Sequence, residues 1–141
     1  MKYTTYVIAL LICFGLYACK KDSTPALRTQ QYPLTTQNNS GLTGSVTFRE
    51  INKDSVKTAI DVSLHNAILG GYIVHIHEGG PTSYHVIIYD WGHVYPQHDS
   101  VHTTVYLPLP YDSAMNLNGT FVVHDSTESM IVASGGIGIY K

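Results

Sequence analysis

Between Lys57 and Lys141 the chain has no lysine and no arginine. Charged residues make up only 13% of it, and the formal net charge is −2. With no basic patch to meet phosphates, nucleic acid is not an expected partner. Cysteine is nearly absent too: Cys13 and Cys19 are the whole supply, so residues 20–141 contain no disulfide and must hold together without one. Apolar residues nowhere recur at helical spacing over three turns, which argues against a helical bundle. No nucleophile elbow is present, and no pair of carboxylates can be placed from sequence alone, so nothing points to protease or glycosidase chemistry.

The first apolar run, Val7 to Leu16, is short for a membrane span and follows the positive Lys2, which reads as a secretory signal. Leu16-Tyr17-Ala18-Cys19 resembles the bacterial lipobox, which implies a signal peptide over 1–18 and a lipid on Cys19. The expected location is therefore outside the cytoplasm, anchored by lipid to a bacterial membrane. Residues 19–40, rich in Ser, Thr, Gln, Asn and Pro, are expected to form a flexible tether. Residues 41–141 are enough for one small domain.

That domain reads as strands. Val46 and Phe48 alternate with polar neighbours, as do residues 59–64, and Asn52-Lys53-Asp54 between them is turn chemistry. Further strands are expected at 72–77, 84–89, 101–109, 120–124 and 130–140. Short strands, turn signals and 11 tyrosines indicate an all-β sandwich or flattened barrel of about 7–8 antiparallel strands.

What is abundant is histidine. All eight lie between His65 and His124, where cations are missing and acids are not. In the strand Gly71-Tyr72-Ile73-Val74-His75-Ile76-His77-Glu78, side chains alternate, so His75 and His77 share one face, roughly 6.5–7 Å apart along the strand. Two imidazoles so placed suit copper, zinc, iron or nickel, and His93, His98 and His124 are candidates to complete such a site.

Four segments, taken in order, resemble the copper/zinc superoxide dismutases. Gly71 to Glu78 is similar to their His-x-His-Glu strand, and Gly92-His93-Val94-Tyr95-Pro96 to their Gly-His-Phe-Asn-Pro turn. Val122-Val123-His124 is similar to their Val-Val-His strand, and Ala133 to Gly138 to their closing strand. Gly44 to Phe48 also resembles the opening strand. The resemblance implies a Greek-key β-sandwich with an immunoglobulin-like architecture. It implies copper ligands at His75, His77, His93 and His124, and it makes His93 the catalytic residue, released from the metal to carry a proton.

The chain departs from that family in three places. The family's zinc ligands have only His98 and Asp99, with His102 beyond them, as counterparts, so zinc is a doubtful second cofactor beside copper. The family's active-site arginine corresponds to Ile131, and the loop that would guide an anion has shrunk to Asp125–Met130. The disulfide cysteine corresponds to Ser134. His65 reads as a turn residue and His85 as an ordinary strand position; the apolar segment 84–91 is an unassigned insert. The expected function is a superoxide-dismutase-like copper-binding lipoprotein domain, acting either in slow copper-only dismutation of superoxide or in copper holding, with a copper donor or acceptor as partner. The alternative is a metal-free β-sandwich interaction module.

Overall fold

The computed structural model describes residues 25–140 apart from 69 and 84. The expected signal segment, Cys19 and the expected strand start at Tyr84 lie outside the described residues. Eight strands run in chain order: β1 (Thr29–Thr36), β2 (Thr43–Glu50), β3 (Thr58–His65), β4 (Tyr72–Glu78), β5 (Ile87–Val94), β6 (Ser100–Leu107), β7 (Asn118–Asp125) and β8 (Ile131–Gly138). One short helix, α1 (Tyr111–Met115), lies between β6 and β7. The strands form one sheet in the order β5-β4-β7-β8-β1-β2-β3-β6, and every pair is antiparallel. The sheet curls into a nearly closed barrel, as the alternation in the sequence leads one to expect. β3 neighbours β6 and β4 neighbours β7, each across two intervening strands, which are Greek-key connections.

β1 corrects the expected extent of the tether. Residues 29–36, placed in the flexible segment on composition, form a strand because Tyr32 and Leu34 point inward, 1% and 4% exposed. From Thr29 to Leu34 this strand pairs with β2, and at Thr35 and Thr36 it switches to Ser134 and Ala133 of β8. β1 therefore joins the two halves of the barrel. The crossing is close: a Cβ on Gly135 would lie 2.2 Å from the carbonyl oxygen of Pro33, so only glycine fits there.

Arg28, just before β1, pins this strand down. Its guanidinium donates to Glu50 Oε1 at 2.7 Å and to Asp112 Oδ1 at 2.6 Å, and it stacks over the Tyr111 ring at 4.7 Å. Hydrogen bonds from Arg28 hold the Glu50 carboxyl below its ordinary value.

Inside the barrel, Tyr32, Phe48, Ile60, Leu64, Ile76, Leu107, Phe121 and Ile137 are all essentially buried, with Tyr32 edge-on to Phe48 at 5.2 Å. Each such side chain contributes about 1.5–3 kcal/mol on burial. A disulfide contributes about 2–4 kcal/mol, so one or two of these core residues match the crosslink the domain lacks.

β5 is the second correction. The expected strand at 84–89 is instead Ile87–Val94, so Gly92 and His93, expected in a turn, lie on a strand. α1 had no counterpart in the sequence pattern; Tyr111 and Ala114 bury one side of it.

Candidate metal centre

β4 sends Tyr72, Val74 and Ile76 into the core, and β7 does the same with Phe121 and Val123. Alternation then puts His75 and His77 of β4, with His124 of β7, on the opposite face of the sheet. His124 is paired with Ile73, and His75 with Val122, which makes His124 and His75 diagonal neighbours across the ladder. Their ring centroids are 5.2 Å apart, those of His75 and His77 5.8 Å, and those of His77 and His124 6.0 Å. One ring nitrogen from each of the three lies within 4.8 Å of the others.

Register shifts flank all three residues. Against β5 the pairing slips between Val74 and His75 and again between Ile76 and His77; against β8 it slips between Val123 and His124. Trp91, Ile88 and Val132 are the extra residues. Bulges of this kind re-aim side chains and concentrate beside functional sites, and here three of them surround three histidines.

Acceptors stand beside two of the three rings. His77 Nδ1 faces the carbonyl oxygen of His85 at 3.1 Å, so this nitrogen carries the proton and Nε2 carries the lone pair. His75 Nε2 lies 3.3 Å from Asp90 Oδ1 and 3.5 Å from Glu128 Oε1. Asp90 Oδ1 also accepts the Gly92 amide at 2.7 Å. Glu128 stands in the left-handed region, φ 60°, within a turn built on the Asp125 carboxylate, which accepts the Ser129 amide at 2.9 Å and the Ser129 and Thr127 hydroxyls at 3.0 Å each.

A metal ion fits what remains. His75 is 1% exposed, and its Nδ1, with both ring nitrogens of His124, is buried with no hydrogen-bond partner. Buried polar atoms are nearly always partnered, and each that is not costs about 1–3 kcal/mol. A cation among the rings would supply the missing partner. Burial, then the neighbouring His75 and His77, push the His124 pKa down, with Glu128 and Asp125 partly opposing; the neutral imidazole this favours is the ligating form.

The other expected ligands stand elsewhere. His93 is exposed on β5 opposite Ile73, its ring stacked on Tyr95 at 5.9 Å; it is not a member of the cluster. His98 is exposed in the β5–β6 connection at φ 63°. Asp99 meets Ala67 through its backbone, the Ala67 amide donating to its carbonyl oxygen at 2.8 Å. His102 Nδ1 lies 3.2 Å from Ser63 Oγ. Among the described residues, His75, His77 and His124 form the one group of three or more potential ligands. Ile131 sits directly opposite His124, so an apolar side chain occupies the place where the resemblance sets an arginine. Sequence reasoning missed Asp90 and Glu128: the bulges hide the pairing of Asp90 with His75, and a turn glutamate carries no periodic signal.

No protein-family model matches the chain, and no curated protein matches it in sequence. Among solved structures, one described as a crystal structure analysis of the clock protein EA4 is similar, with a TM-score of 0.54 at 14% identity over 82% of this chain and 96% of that one. That likeness is one of fold alone.

Proposed function

We propose that this chain is a superoxide-dismutase-like metal-binding domain that holds copper through His75, His77 and His124, either storing it or dismutating superoxide slowly. The observation that carries the reading is the convergence of three imidazoles on the outer face of β4 and β7, two of them with buried, unpartnered nitrogens. Three imidazole donors suit copper and zinc alike; copper is preferred on the resemblance. Bound copper would supply one-electron exchange. The residues of the chain do the rest: the His85 carbonyl faces His77 Nδ1, and the Asp90 and Glu128 carboxylates stand beside His75 Nε2. With no cation between Lys57 and Lys141, no lysine or arginine of β4, β5, β7 or β8 steers an anion inward, whereas a cationic funnel raises such on-rates by about 10–10³. Fast dismutation is therefore not part of the proposal.

Copper titration of chelated full-length protein tests it. About one copper per chain is expected, lost in a His75→Ala/His77→Ala double variant that remains folded; tight binding by that variant, or zinc held in preference to copper, overturns the assignment. Export and anchoring rest on residues 1–19, and incorporation of labelled fatty acid that is abolished by Cys19→Ala tests them.

A further inference from the structure

Asp90 and Glu128 are not explained by the ligand set. They reach the same nitrogen of a buried ring from two different elements, β5 and the β7–β8 turn, yet are themselves 60% and 49% exposed. Each is held in place, Asp90 by the Gly92 amide and Glu128 by the turn that Asp125 organises. They thus connect solvent to a residue that solvent does not touch.

We infer that Asp90 and Glu128 make the outer side of this centre an entry for cations and a barrier to anions, so that what it exchanges with solvent is a metal ion rather than superoxide. The inference rests on the copper reading above. A carboxylate accepts and cannot donate, so the pair favours a proton on His75 Nε2, which leaves the buried, unpartnered Nδ1 as the atom free to meet an ion. Two negative groups beside the ring attract an incoming cation and repel an incoming anion. Among the described residues, β4, β5, β7 and β8 carry no lysine or arginine to offset them; Ile131 opposes His124, and Asp125, which acts on His124, carries the same sign. A carboxylate also binds a hydrated divalent ion loosely from water, which suits a first stop before the imidazoles.

The test compares the full-length chain with Asp90→Asn/Glu128→Gln, which keeps shape and removes charge, and with each single variant. Cu(II) uptake is followed by stopped flow at low and high salt, and azide, an anion, is titrated optically into the copper-loaded proteins. Wild-type uptake is expected to slow about tenfold as salt rises, and the double variant to be slow and insensitive to salt, as removal of steering requires. Azide is expected to bind the double variant about fivefold or more tightly than wild type. Nitrogen-15 spectra of wild type are expected to show the His75 proton on Nε2. Uptake independent of salt in wild type overturns the inference even where the double variant fails to fold, and so does equal azide affinity in wild type and variants. Absence of any copper uptake by wild type overturns the copper reading instead; one copper per chain without charge effects overturns the entry role alone.

Discussion

The indole N–H of Trp91 on β5 donates to the carbonyl oxygen of Tyr106 on β6 at 3.0 Å. These two strands are the ends of the sheet and share no ladder. One side chain therefore bridges the seam of the barrel, while its ring stacks on Phe121 at 6.0 Å.

Replacing Trp91 separates these two contributions. Trp91→Phe keeps an aromatic against Phe121 but removes the seam bond, and is expected to cost about 1 kcal/mol. Trp91→Ala removes both and is expected to cost about 3 kcal/mol or more. Urea denaturation of the two variants checks the order; equal losses would mean the hydrogen bond contributes nothing.

The histidines are expected to divide sharply. His124→Ala should weaken copper binding by about tenfold or more, since metal affinity commonly falls 10–100-fold even when a group outside the ligand set is lost. His93→Ala should leave affinity within about twofold, because His93 stands outside the cluster, stacked on Tyr95. Calorimetric titration measures both. A large loss in His93→Ala would restore it as a ligand.

Gly135 faces backbone, and backbone cannot swing aside as a side chain can. Gly135→Ala would drive its methyl group into the Pro33 carbonyl and is expected to cost about 2 kcal/mol or more, in the range of overpacked cores. Thermal melting reads this directly. Gly92→Ala has open space by the same measure but a φ of 68°, so its smaller expected loss comes from backbone strain alone.

The Arg28–Glu50 pair sets a dependence on acid. Hydrogen bonding to Arg28 lowers the Glu50 pKa in the folded state, so the native protein binds its proton less readily than the unfolded chain. The stability this contributes is complete above the unfolded glutamate value of about 4.3. It is lost as pH falls through the lower folded value. Stability measured across this acid range should fall less steeply in Glu50→Gln than in wild type; identical slopes would remove the pair from the account.

The legible strands are those with one apolar and one polar face. Val46 and Phe48, or Ile60, Val62 and Leu64, alternate cleanly because one side is core and the other is water. β1 escaped because only Tyr32 and Leu34 are inward, among Gln, Thr and Pro that read as linker. β5 escaped because two bulges break its period, so an apolar run starting at 84 looked like the strand when Ile87–Val94 is. The same displacement explains the site. His75, His77 and His124 lie on regular strands whose faces follow from parity, and their convergence could be read. His93 was placed by resemblance in a turn; on β5 it shares the outer face, opposite Ile73, but its ring stacks on Tyr95 and is not one of the three that converge.

The three histidines hang from β4 and β7, and each of these strands is flanked on both sides by another. Nothing about the scaffold waits for an ion before it can form. The empty domain is therefore expected to stay folded, and loading should raise its melting temperature without changing its secondary structure. On the proposed metal-holding role, occupancy is then expected to follow how much metal the surroundings contain, with the polypeptide emptied and refilled many times over.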